Sequence, residues 1–521
     1  MMRPASNEQR RLLDSLVSQM IPEDDEVAIM SDEIPIDRFF LSDPRFSLDD
    51  LESVDCIAAR RHQRGTNKLP RMPFEPPWYR VLDTTSVLAI CFFSVCSGPL
   101  GPEKIIADDP VTGTISMILF PMLCSGPFAY IIAELCSALP EDGGYVVWAL
   151  SAFGPFMALQ VGYWGWLAGI FGRVLRVGLL YDLVAKAAGM SLPGVAEYFV
   201  KAGLGIIFAV PSLLGSRVLS RTLLVCMMLC VLLPFGVLTV WGFSEASVVS
   251  QDVQTTYKDK STDWIQLINT LYWSYNGFFW VSTVGGRVRN PARAFPHAIY
   301  FTYLLVVMLY LLPMLASYSA TRTDWLVLQD KEFVHLASTI GGTVLHVVIV
   351  FASACGLAGM YIAQVFCEGY QVSGMAEVGL VPEVLRSQNE RYDSPHVSIL
   401  FSLVVTLLVS IFSFPDLLQI ANTFSALVQI AVIFAALWLR HSLPFMPRPA
   451  KVPGGMPLIF VVSMLPLVVL GYMIAQTCRR AFPAALCGGL LLVGLLFSAR
   501  KACSRRGPHV GCFRTKMSPY Y

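Results

Sequence analysis

The residues best able to do chemistry in this chain are a few carboxylates set among apolar side chains, next to Gly/Pro clusters. Glu103 ends the run Ser97-Gly98-Pro99-Leu100-Gly101-Pro102-Glu103, while Glu134 and Glu368 lie inside long apolar stretches. An ionisable group in such surroundings is a functional candidate, and a carboxylate whose proton affinity is raised by burial can carry a proton. Between residues 97 and 103 two prolines remove backbone donors and two glycines admit non-helical torsions, so a helix should break there. The amides left to donate are those of Gly98, Leu100, Gly101 and Glu103. Amides at the start of a half-helix attract an anion. A Glu103 charge in the first turn would satisfy that dipole itself, repel a carboxylate and attract an amine. The alternative is a favourable first-turn acid that only faces an outer vestibule.

A second cluster runs through Trp273, Tyr275, Asn276, Gly277, Phe278, Phe279 and Trp280. A cation over an aromatic face gains about 0.5–2 kcal/mol, so these rings could line or gate an amine site, and Asn276 could turn its amide toward substrate. Packing against Tyr163, Trp164 and Trp166 is the plainer alternative. The candidate substrate-binding set is therefore Ser97, Gly98, Leu100, Gly101, Glu103, Trp273, Tyr275, Asn276, Gly277 and Phe279, and the proton-coupling candidates are Glu134, Glu103 and Glu368. Glu134 can equally anchor the Glu141-Asp142-Gly143-Gly144 loop, and Glu368 reads as interfacial rather than as a substrate ligand. Arg173 and Arg176, three residues apart on one helix face, are expected to snorkel to the outer interface, and Asp182 to be a solvated rim residue. His297, His335, His346 and His396 fall near loops and make poor proton relays. The 13 cysteines are scattered through apolar runs without metal-ligand spacing, so neither metal nor cofactor is expected. The absence of HExxH and GxSxG motifs argues against an enzyme.

The elements that must position these residues follow from composition. Of 521 residues 55% are hydrophobic and 14% charged, against roughly 25% charged in a soluble domain. Lysines and arginines number 38 and acids 37, so no global field recruits nucleic acid. Residues 1–80 form a polar, acidic segment without a cleavable signal, expected to be mostly disordered and cytosolic. It turns basic (Arg60, Arg61, Arg64, Lys68, Arg71, Arg80) just ahead of the membrane. Residues 81–500 form the membrane domain and 501–521 a basic cytosolic tail. Hydropathy gives about twelve spans of ~20 apolar residues, at 84–107, 112–138, 154–183, 194–216, 219–243, 263–285, 296–319, 337–372, 395–413, 416–439, 456–476 and 482–500. Inner loops hold Arg217, Arg221, Arg287, Arg289, Arg293, Arg386, Arg391, Arg440, Arg448 and Lys451; the longer outer loops are poorer in cations. Both termini are thus expected in the cytosol. The first and sixth spans, five apart, are the interrupted ones, as expected for two inverted five-helix halves with a substrate site between them.

The runs SGPLGPE (97–103), AELCSALPEDGGYVVWALSAFGP (133–155), WSYNGFFWVSTVGGRVRNPARAFP (273–296) and GYQVSGMAEVGLVP (369–382) resemble the amino acid–polyamine–organocation transporter superfamily. The likeness is to its polyamine:proton symporter and L-type amino acid transporter branch, over most of residues 80–475. The group Glu134, Pro140, Gly143, Gly144, Tyr145 and Trp148 carries it best. Lys104, Phe279 and Gln364 stand where the resemblance leads one to expect acids. It implies an all-α membrane protein of about twelve helices in a 5+5 inverted repeat with helices 1 and 6 broken. It also implies a proton-coupled carrier of polyamines or related organic cations, in the plasma membrane, with substrate, protons and the lipid bilayer as partners. The alternatives are an amino acid carrier or exchanger and a nutrient sensor that does not transport.

Overall fold

A computed structural model describes residues 80–99, 110–189, 192–245, 263–320, 333–389, 391–411 and 416–504, all within the compact unit Pro76–Tyr521. The expectations for Leu100, Gly101, Glu103 and Lys104, for residues 1–79 and for the tail beyond Ser504 fall outside these residues. The described chain is helical, with isolated backbone bridges and no strand.

In chain order the helices are α1 (Thr84–Val95), α2 (Pro110–Phe120), α3 (Gly126–Ala138), α4 (Tyr145–Phe153), α5 (Pro155–Ala188), α6 (Gly194–Leu213), α7 (Ser216–Val225), α8 (Leu233–Ser244), α9 (Trp264–Tyr275), α10 (Pro291–Ala320), α11 (Phe333–Glu377), α12 (His396–Val409), α13 (Leu417–Ser442), α14 (Gly455–Arg479) and α15 (Ala481–Ser504). Every segment expected to span a membrane contains helix. Eight stretches among the described residues are long and apolar enough to cross by themselves, with α1 and α12 as shorter apolar helices. The fold is therefore an all-α, multi-pass membrane fold.

Several departures from simple spans have local causes. The second and fifth spans each pass through a π-helical turn, Pro121–Ser125 and Cys226–Leu232. Pro121 opens the first turn and Pro234 follows the second, and a proline removes one rung of the i to i−4 ladder. The eighth span runs five residues beyond its expected inner end and kinks at Gly341 and Gly342, where Gly342 has φ +69°. The short α4 was not anticipated, because nine residues cannot cross a bilayer and hydropathy alone assigns them to a loop. Gly154 (φ +83°) separates it from α5.

α5 is the central post, packed on both α11 and α13. Glycines on α5 make room for its neighbours: a Cβ at Gly165 would strike the Tyr145 hydroxyl, and one at Gly169 the Glu368 carboxylate. Small residues let membrane helices approach closely where no hydrophobic driving force separates helix from lipid.

Candidate functional site between two broken helices

α1 ends at Val95, capped by extended Cys96, and α9 ends at Tyr275, capped by extended Asn276. Gly98 has φ +106° and Gly277 φ +129°, torsions that only glycine adopts cheaply. The two breaks touch: a Cβ on Gly277 would collide with the Ser94 carbonyl and lie 3.3 Å from Val95 Cα. Phe235 of α8 covers Gly98, and Gly356 of α11 lies against the Ser97 carbonyl. Both half-helices present their carboxyl ends to this point, where the last carbonyls lack a following turn and the dipole places roughly −0.5 elementary charge each.

Ser97, Gly98, Tyr275, Asn276 and Gly277 are thus brought together. Tyr275 donates its hydroxyl to the Met117 carbonyl at 3.1 Å, and the Asn276 carbonyl oxygen accepts from Gln429 Nε2 of α13 at 2.6 Å, so both are braced by neighbouring helices. Phe279 lies below the break, buried edge-on against Tyr145 at 5.2 Å between centroids, and Trp280 also meets Tyr145. These rings pack on α4 rather than on the α5 aromatics, and Trp166 stacks on Phe401 of α12 instead. Trp273, one turn before the break, carries the Arg176 guanidinium at 4.9 Å from its ring centroid.

That contact corrects the expectation for the α5 arginines. Neither snorkels outward: Arg173 is 0% and Arg176 7% exposed. Arg173 Nη2 donates to Glu368 Oε1 at 2.7 Å and to the Ser402 carbonyl at 3.3 Å. Glu368 is likewise not interfacial. It is fully buried on α11, and its Oε2 has no hydrogen-bond partner among the described residues. The pairing could not be read from sequence because the partners are 195 residues apart. Asp182 is exposed, as a rim residue should be.

Glu134 sits near the carboxyl end of α3 with both oxygens engaged. Arg448 lies 3.2 Å from Oε1, Arg440 3.4 Å from Oε2, and the Val452 amide donates to Oε2 at 2.7 Å. It therefore ties α3 to the α13–α14 connection, not to the 141–144 loop.

An assembly that sequence reasoning missed lies where the connections after α3, before α10 and before α12 meet. Arg287, read as an ordinary inner-loop cation, is buried. Its Nε donates to Asp142 Oδ2 at 3.2 Å, Nη2 to Gln388 at 2.9 Å, and Nη1 to Asp393; Tyr370 lies 5.1 Å away beneath the guanidinium. Main-chain amides join two of these loops and the start of α1: Gly286 N–H donates to Asp142 Oδ1, Gly143 N–H to the Thr283 carbonyl, and Leu82 N–H to the Arg287 carbonyl. Burial pushes the Asp142 carboxyl above its usual range, although Arg287 pulls the other way. Burial disfavours the Arg287 charge, yet Tyr370, Asp142 and Asp393 together hold its pKa above the usual value.

Comparison with known proteins places the sequence among membrane transporters. Polyamine transporter RMV1 of Arabidopsis thaliana is 31% identical over 78% of this chain and 82% of its own. Polyamine transporter PUT1 of Oryza sativa subsp. japonica is 29% identical over 85% of each. The branched-chain amino acid permease BcaP of Bacillus subtilis is 24% identical over 68% of this chain and 80% of its own. Residues 82–494 match the family model for amino acid permeases, and the chain belongs to that family of membrane transporters.

Proposed function

We propose that this transporter carries polyamines or related organic cations in symport with protons, across the plasma membrane, with both termini cytosolic. The observation that supports a cationic substrate is the meeting of two helix carboxyl ends at Gly98 and Gly277. Their carbonyls and dipoles favour an ammonium group. The similarity to plant polyamine transporters points the same way. Movement would follow from rocking one set of helices about this point, with the Arg287 assembly opening and closing the inner side.

For the proton we favour Glu368 over Glu134. Glu368 is buried beside the central site with one oxygen on Arg173 and one without a partner among the described residues, so taking up a proton would loosen the tie between α5 and α11. Glu134 is held by two arginines and an amide and serves as an anchor.

The test is uptake of labelled putrescine by purified protein in liposomes, with and without an acidic exterior, against spermidine and leucine as competitors. Gradient-driven uptake blocked by spermidine is expected. Full competition by leucine would replace the polyamine reading by an amino acid one, and uptake indifferent to the gradient would remove the proton.

A further inference from the structure

Arg176 is the unexplained charge of the central region. It lies in the middle of α5 and is 7% exposed. Its Nε and Nη1 have no hydrogen-bond partner among the described residues, and the same holds for Nε and Nη1 of Arg173. The charged side chains that act on Arg176 are Arg173 and Glu368, and Glu368 Oε1 is already given to Arg173 at 2.7 Å. Among the described residues, two buried cations thus share one carboxylate, which leaves a surplus positive charge there. A buried charge is tolerated only when paired and hydrogen-bonded, and stacking on Trp273 supplies no hydrogen bond.

Arg176 also borders the site between the breaks. Trp273, which it covers, lies three residues before Asn276. Tyr275, next to Asn276 at that break, is met edge-on by Tyr310 at 5.3 Å.

We infer that Arg176, stacked on Trp273, is an anion subsite at the edge of the substrate site, and that it takes a carboxylate-type anion. The guanidinium fork suits a carboxylate, which it can hold with two parallel N–H donors. The inference rests on the proposed amine site and adds a second pole to it. Amines are drawn to the helix ends and the anion is held by Arg176. The carboxylate belongs either to the substrate, as in a diamino acid, or to a separate small anion bound beside a polyamine.

Putrescine and ornithine separate the two sources, since they differ by one carboxylate. Competition against labelled putrescine is measured with the full chain in liposomes, in a buffer whose anion is a bulky sulfonate, with and without added acetate. If the carboxylate is the substrate's own, ornithine competes at concentrations about tenfold or more below those needed with Arg176→Gln, and acetate has no effect. If it is a separate anion, acetate strengthens putrescine uptake in the wild type and not in Arg176→Gln. Arg176→Lys keeps part of either effect. Should Arg176→Gln fail to run as a monodisperse protein, the second readout is quenching of tryptophan fluorescence by ornithine or acetate, present in the wild type and reduced in Trp273→Phe. Wild type that distinguishes neither ornithine nor acetate, or effects that persist unchanged in Arg176→Gln, would overturn the subsite. Failure of wild type to take up either amine would instead reject the amine reading.

Discussion

Removing Arg287 tests the inner closure most directly. Arg287→Met keeps the length of the apolar stem and deletes the fork that joins Asp142, Asp393 and Gln388. Deleting one partner of a buried pair costs about 3–5 kcal/mol. Because the Asp142 and Asp393 side chains are 15% and 27% exposed, we take a discounted loss of about 2–3 kcal/mol for the closed form, which is a shift of roughly 30- to 150-fold toward the open one. Cys367 reports this shift. It is fully buried, its thiol 4.0 Å from the Ser94 hydroxyl of α1, so under the proposed closure a hydrophilic thiol reagent reaches it from the inner side only when the loops part. The assay is the labelling rate of the Cys367 peptide by mass spectrometry in proteoliposomes of known orientation. Arg287→Met should label about 30- to 150-fold faster than wild type. Arg287→Lys should fall between, since a point charge cannot serve three acceptors as the fork does. Equal rates in the Met variant and wild type, in protein that remains folded, would mean that the Arg287 assembly does not hold the inner side shut.

Gly277→Val should abolish uptake while the protein still inserts, because φ +129° and the Ser94 carbonyl both forbid a branched side chain; normal uptake would remove the two-break site. Glu134→Gln should lower the melting temperature, since it leaves Arg440 and Arg448 without their carboxylate, and should leave any proton dependence of uptake intact; its loss would restore Glu134 as the coupling group. The Asp142 carboxyl titrates above its ordinary 3.8 when the inner side is closed and should return toward 3.8 when exposed. The closed form therefore binds the proton more readily, so acidifying the inner face through the window between the two values should slow Cys367 labelling in wild type but not in Asp142→Asn. The opposite trend would refute the sign.

The class of the protein, the spans and both breaks were legible in the chain itself, because each depends on neighbours in sequence. A bilayer demands ~20 apolar residues per crossing, and Gly98 with Pro99, or Gly277 beside Asn276, interrupts a helix through local torsions alone. The nine-residue α4 was illegible for the same reason, since hydropathy carries no signal for a helix that does not cross. What the tertiary structure decided was where each charge ends up. Arg173 and Arg176 have the flanks of snorkelling residues, and Arg287 has those of a loop cation. α11 lays Glu368 against a glycine of α5, and two distant loops converge on Arg287. Charges in a low-dielectric interior are governed by whatever partner is a few ångströms away in space. Along the chain those partners are 101 to 195 residues distant, beyond the reach of any local pattern.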